Sequence, residues 1–149
     1  MRLLVVLAVL MAGTPPAAAS GGLWCQLEDK QVRISIESGV TRGMGGPVFN
    51  FRGKLEILTK AVAEAMRVVE FGEDNLPQYW LDNRALKLHL YHEWQDDKPF
   101  RSVDLVIETQ AADDEGTYGG SYAVNVFDDA TPGDDKETKL SGEISCGAE

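Results

Sequence analysis

The chain has 149 residues with 14 Lys and Arg, 24 Asp and Glu, and a formal net charge of −10 at pH 7. Because phosphate contacts need clustered basic side chains, this charge argues against nucleic acid and anionic membrane surfaces as partners. The excess lies at the C-terminal end, where residues 104–149 hold 12 acidic and two basic side chains. This acidic segment is electrostatically compatible with a cationic protein, a metal cation or a basic peptide as partner. The favoured interpretation is that the charge serves solubility alone.

Residues 1–19 predict a secretory signal peptide that is cut after Ala19. Arg2 precedes an apolar run over 3–12, which is well short of the roughly 20 residues of a membrane-spanning helix. We therefore expect an exported, soluble mature chain, 20–149, that forms a single domain and has no membrane span. The sequence contains no Asn-X-Ser/Thr glycosylation site, which favours a bacterial periplasm, and an extracellular location is the alternative.

After the signal, apolar and polar side chains alternate with a period of two residues, which predicts half-buried β-strands. Turns rich in Gly, Pro, Asn and Asp separate these runs. About eight such strands predict an all-β fold, mainly an antiparallel β-sandwich or barrel. The alternating runs are LWCQL (23–27), QVRISIE (31–37), VFNFRGKLEI (48–57), ALKLHLYHEW (85–94), VDLVIET (103–109), YAVNVF (122–127) and KLSGEISC (139–146).

Residues 59–70 depart from the two-residue period. Apolar residues recur at helical spacing from Leu58 to Val69, Thr59 can cap the start of a helix, and Gly72 can end it. These residues therefore predict one short helix of two or three turns near 59–70, lying against a sheet. The alternative is a short helical turn that leads into a strand, MRVVEF.

The two cysteines, Cys25 and Cys146, lie in the first and last alternating runs, both on the apolar side. In an oxidising compartment such a pair normally forms a disulfide. The sequence therefore predicts a disulfide between them, which requires that the first and last strands lie side by side or face each other.

The two histidines, His89 and His92, both fall in the run over 85–94. On a strand, residues three apart point to opposite faces, so the two imidazoles cannot share a metal ion. We expect His92 on the core side and His89 on the surface.

No nucleophile motif is present, neither a GxSxG elbow nor an HExxH zinc site. An envelope hydrolase that uses a carboxylate pair is the alternative enzymatic interpretation. A second alternative is a calcium-stabilised structural domain, because Asp113, Asp114 and Glu115 form an acidic loop with suitable ligands. The spacing of these residues does not match a D-x-D-x-D loop, so a solvated hairpin tip competes with a calcium site.

Five aromatic residues are candidates for a sugar- or peptide-binding face, and such a face requires at least two of them to be exposed together. Single aromatic residues on strands more often pack in the core or at an edge. The candidates are Tyr79, Trp80, Tyr91, Tyr118 and Tyr122.

A small, acidic, exported all-β chain with one disulfide is similar in kind to bacterial envelope binding proteins, including periplasmic inhibitors of lysozyme. The similarity concerns architecture and charge, and it assigns no role to any residue. Because no catalytic motif is present, we expect a non-enzymatic binding or interaction protein of the bacterial envelope.

Overall fold

The computed structural model describes residues 20–41, 48–95, 99–112 and 116–149. Within these ranges it contains nine β-strands and two 3-10 helices of one turn each. The predicted all-β fold is confirmed, with nine strands where about eight were expected. The predicted signal peptide, 1–19, lies outside the described residues. The strands are β1 (Ser20–Glu28), β2 (Val32–Thr41), β3 (Val48–Ile57), β4 (Val68–Phe71), β5 (Gln78–Leu81), β6 (Ala85–Trp94), β7 (Arg101–Ala111), β8 (Thr117–Asp128) and β9 (Glu137–Ala148).

All nine strands belong to one antiparallel sheet in the order β4-β3-β2-β1-β9-β8-β7-β6-β5. Except for β4 and β5, strands that follow each other in the chain are neighbours in the sheet, and the first strand pairs with the last. The break in this cycle falls between β4 and β5, which form the two edges. Because every neighbouring pair is antiparallel, the eight steps from β4 to β5 leave these two edge strands pointing in the same direction.

The sheet curls, so that its inner face packs against itself. A β-carbon placed on Gly53 of β3 would lie 3.4 Å from Cδ2 of Leu90 on β6, although five strands separate β3 from β6 in the sheet. The segment 72–77, which connects β4 to β5, spans the gap between these two edge strands. The Asn75 side-chain amide donates to the Tyr91 carbonyl of β6 (3.0 Å), and the Asn50 amide of β3 donates to the Glu73 carboxylate (2.7 Å).

The inner face holds one hydrophobic core, built by the two-residue period seen in the sequence. In β2 the buried and exposed residues alternate strictly over its first seven positions. β6, β7 and β8 add alternating Leu, Val and Ile side chains from the other half of the sheet. Core residues below 2% exposure include Cys25, Val32, Ile34, Ile36, Leu55, Met66, Leu86, Leu88, Leu90, Leu105, Ile107, Tyr122 and Val124.

The predicted helix near 59–70 is wrong, and the alternative of a helical turn followed by a strand is confirmed. A 3-10 turn covers Glu64–Met66, and β4 begins at Val68. The Ile57 amide donates to the Arg67 carbonyl (2.6 Å), which turns the chain back onto β3 before a second helical turn forms. None of the helical segments in the described ranges is long and apolar enough to cross a membrane.

The disulfide between Cys25 and Cys146 is confirmed, and the two residues are direct partners in the β1–β9 ladder. This ladder contains only four residue pairs, whereas β8 and β9 share eleven. The covalent bond therefore reinforces a short ladder that joins the first strand of the chain to the last. We call this β1–β9 contact the seam.

Replacing both cysteines, Cys25→Ser with Cys146→Ser, is expected to destabilise the fold by about 4–5 kcal/mol, because the bond closes a loop of 121 residues in the unfolded chain. Urea unfolding of 20–149 measures this difference against the oxidised wild type. A loss below about 1 kcal/mol would contradict the role given to the seam.

Candidate functional site

The opposed orientation of the two histidines follows from the strand β6. His92 lies opposite the buried Val103 and contacts Trp94 edge-on, with ring centroids 4.6 Å apart. His89 lies on the outer face, where its Nε2 is 2.9 Å from Oδ1 of Asp104. His89 is therefore on the surface as predicted, but it is half-buried and paired, which single-strand periodicity did not reveal.

The five aromatic candidates do not form one face. Tyr118 and Tyr122 are buried in the core, at 6% and 1% exposure. Tyr91 is half-buried and donates to the exposed Glu93 (3.0 Å). Tyr79 and Trp80 are exposed neighbours on the edge strand β5, at 39% and 58%. Because they are successive residues of one strand, they point to opposite faces of the sheet: Tyr79 is opposite the buried Leu88, and Trp80 is opposite the exposed Lys87.

Tyr122 has a structural role at the seam. Its ring covers Gly142 of β9, and its hydroxyl donates to Oδ2 of Asp29 at 2.5 Å. Asp29 also accepts from the amides of Gln31 and Val32 in the β1–β2 turn. Burial, followed by the hydrogen bond to the Asp29 carboxylate, raises the pKa of the Tyr122 hydroxyl. The hydroxyl therefore stays protonated and donates at neutral pH.

The pKa of the Asp29 carboxylate is shifted in the opposite direction. Burial alone would raise its pKa, but the hydrogen bonds from Tyr122 and from the turn amides outweigh burial, and the pKa lies below its ordinary value. A lowered pKa means that folding stabilises the charged form. Asp29 belongs to no catalytic or binding motif. Its position directly after β1, at the start of a polar turn, is the sequence feature that indicates a carboxylate bonded to turn amides.

A groove crosses the outer face of the sheet beside Trp80. Its larger part, about 700 Å³, lies over β5–β7, and its smaller part, about 340 Å³, lies over β7–β9. The two depressions share Val106 as a lining residue, and we use the name outer groove for the two together. The larger part is lined by Pro77, Gln78, Tyr79, Trp80, Lys87, Leu88, His89, Val106, Ile107 and Glu108, and the smaller by Asp104, Val106, Ala123, Val124, Asn125, Lys139, Leu140 and Ser141.

Register explains why the outer groove is concave. His89, Val106, Ala123 and Ser141 are successive cross-strand partners. This row has small side chains at its centre, and longer side chains flank it on both sides. The groove therefore runs across the strands rather than along them.

The charged side chains of the outer groove are paired with one another or with a neighbour. Lys87 Nζ lies 3.0 Å from Glu108 Oε1, and His89 Nε2 lies 2.9 Å from Asp104 Oδ1. At the far end, Lys139 Nζ lies 2.9 Å from Glu137 Oε2. The two lysines are therefore each offset by a carboxylate, and the Asp104 carboxylate is hydrogen-bonded to the His89 imidazole.

The net negative charge of the acidic segment, 104–149, comes mainly from side chains that do not take part in the ion pairs of the outer groove. Its two lysines are both engaged, Lys136 with Asp129 and Lys139 with Glu137. Asp134, Asp135 and Glu143 form no ion pair with any described residue. The field around β8 and β9 is therefore negative.

Asp113, Asp114 and Glu115, the predicted calcium ligands, lie outside the described residues. Within the described ranges no group of three or more His, Cys, Asp or Glu side chains is placed to hold a metal ion. A calcium-stabilised domain stays a prediction.

The described carboxylates do not add support for the hydrolase interpretation. None of them is fully buried, and each half-buried one already has partners. These pairings are Asp29 with Tyr122, Glu56 with Arg33 and Lys54, Asp82 with the amides of Arg84 and Ala85, Asp104 with His89, and Asp128 with Arg101.

No family model, no curated protein and no solved structure matches this chain.

Tyr122→Phe is expected to destabilise the fold by about 1–3 kcal/mol at pH 7, because it leaves the half-buried Asp29 carboxylate without its hydroxyl donor. Asp29 has a lowered pKa, so its contribution is complete above the ordinary aspartate pKa of about 4 and is lost as the pH falls through its folded value. The gap between wild type and Tyr122→Phe should therefore narrow below about pH 4, as urea unfolding at several pH values will show.

Tyr91→Phe is the matched control, because it removes a hydroxyl bonded to an exposed carboxylate. We expect it to cost less than about 0.5 kcal/mol at any pH. A Tyr122→Phe deficit that is equal at pH 7 and pH 3 would contradict the Asp29 assignment.

Proposed function

We propose that this chain is an exported, non-enzymatic binding protein of the bacterial envelope, and that its partner is a cationic protein or peptide. The observation that carries the proposal is the pairing of both lysines in the acidic segment, 104–149. Because those cations are already engaged, the acids that remain, Asp134 and Asp135 among them, act on a partner rather than on the chain itself.

Export is supported by the signal pattern of residues 1–19 and by the disulfide, which forms and persists in oxidising compartments. The resemblance to envelope binding proteins agrees with this location. Periplasm is the compartment we propose, and the extracellular medium is the alternative.

The full chain expressed in a Gram-negative host is expected to be recovered from the periplasmic fraction with Ser20 as its first residue. Intact mass after iodoacetamide treatment without reductant should show no alkylated cysteine, because Cys25 and Cys146 are bonded. Ala19→Trp places a bulky residue at the cut and is expected to block processing there. Uncut chain with free thiols in the cytoplasm would contradict export.

Attraction to cations is tested with a lysine decapeptide and a glutamate decapeptide as probes. We expect 20–149 to bind the lysine peptide and to lose most of this binding between 20 and 300 mM NaCl, because exposed charges are screened. Asp134→Asn with Asp135→Asn should weaken binding by about two- to thirtyfold, at roughly 0.2–1 kcal/mol for each exposed charge.

Glu64→Gln with Glu70→Gln is the matched control, since it removes the same number of exposed acidic charges outside the acidic segment. We expect less than a twofold change. Equal weakening by both variant pairs, or binding that ignores salt, would overturn the proposal that the acidic segment directs recognition.

A further inference from the structure

Trp80 is an exposed platform that does not fold back onto the core. At 58% exposure it is the most exposed large hydrophobic side chain among the described residues. It lies on the outer face of β5, opposite Lys87 in the ladder with β6. Exposing so much indole surface to water costs free energy, and a bound ligand would recover it.

The strand that carries Trp80 is held in place at both sides. The hydroxyl of Tyr79 accepts from the Val48 amide of β3 at 3.3 Å, which ties β5 to the strand next to the opposite edge of the sheet. After Trp80, the Asp82 carboxylate accepts from the amides of Arg84 and Ala85, both at 2.7 Å. These amides, and to a lesser extent the Trp80 indole, lower the pKa of Asp82. The platform is therefore preorganised.

The outer groove begins at this platform, and its polar groups are already engaged with one another, Lys87 and Glu108 as an ion pair and His89 and Asp104 through a hydrogen bond. A charged ligand would have to displace one partner of a pair. A neutral ligand with hydroxyl groups can donate to the carboxylates and accept from the ammonium while both pairs stay intact.

Besides hydroxyl groups, such a ligand needs a surface that can stack on the exposed indole of Trp80. The face of an indole is electron-rich, and it packs against the weakly positive C–H groups of a sugar ring. Hydroxyl groups around the rim of that ring then meet the paired polar side chains, with Gln78 as a further donor and acceptor at the same end.

The length of the outer groove indicates more than one sugar unit. It continues past Val106 to Ala123 and Lys139, so it crosses from β5 to β9. Four steps between neighbouring strands, at about 4.8 Å each, give a length of about 19 Å. From this geometry we propose that the outer groove binds a neutral oligosaccharide, with one sugar ring stacked on Trp80.

The outer groove shares strands with the acidic segment, but Asp134 and Asp135, the exposed acids on which the proposed function depends, lie outside its lining. Salt distinguishes the two modes of binding. Stacking and neutral hydrogen bonds are insensitive to ionic strength, whereas attraction between exposed charges is screened. The probes are hexamers of β-1,4-linked glucose, of β-1,4-linked N-acetylglucosamine and of α-1,4-linked glucose, with the lysine decapeptide beside them.

The indole N–H signal of Trp80, assigned by NMR through Trp80→Phe, is followed while each probe is added to 20–149. We expect at least one hexasaccharide to shift this signal with an affinity that changes less than twofold between 20 and 300 mM NaCl. Trp80→Ala should weaken that binding about three- to tenfold, and Trp80→Phe should restore part of it.

Trp24→Phe is the control, because Trp24 is an exposed tryptophan on β1 away from the groove lining, and it should leave the affinity unchanged. Circular dichroism of each variant confirms the fold. If no hexasaccharide shifts the Trp80 signal, or if Trp80→Ala binds as well as wild type, the inference is overturned. If only the lysine peptide shifts Trp80, the groove belongs to the cationic partner, so the inference fails while the proposed function stands.

Discussion

The seam between β1 and β9 is the contact on which the rest of the sheet depends. It joins the first strand of the chain to the last through four residue pairs, one of which is the Cys25–Cys146 disulfide. The neighbouring ladders are longer and connect strands that are adjacent in sequence. The seam is the long-range closure, with the highest chain entropy to overcome, and the Tyr122–Asp29 hydrogen bond extends it beyond the ladder.

The opposite break in the sheet, between β4 and β5, lies next to the outer groove. The two edge strands run in the same direction and form no ladder with each other. Side-chain hydrogen bonds bridge the break instead, such as the one between Tyr79 of β5 and the Val48 amide of β3. This arrangement leaves Trp80 on a short, fastened edge strand. Charge is divided in the same way: polar pairs line the groove, and the unpaired acids Asp134 and Asp135 lie between β8 and β9.

Local periodicity was sufficient for most strands, for the disulfide and for the separation of the histidines, because each depends only on which side of a strand a residue occupies. It failed at 59–70, where β4 is only four residues long and its alternation is hidden in an apolar run; Val69 and Phe71 are buried, and Val68 is exposed. Tyr122 was treated as a binding candidate although it is in phase with Val124, which already indicated the core. The outer groove depends on register between β5 and β9, which a single sequence does not give.

Hydrogen exchange of the oxidised and the reduced protein is the most direct measurement of the seam. The account predicts that reduction lowers the protection of the amides in the β1–β9 ladder, Leu23 to Gln26 and Ser145 to Ala148, more than that of β6, β7 and β8. Seam amides that keep their full protection after reduction, while the central strands lose theirs, would contradict it.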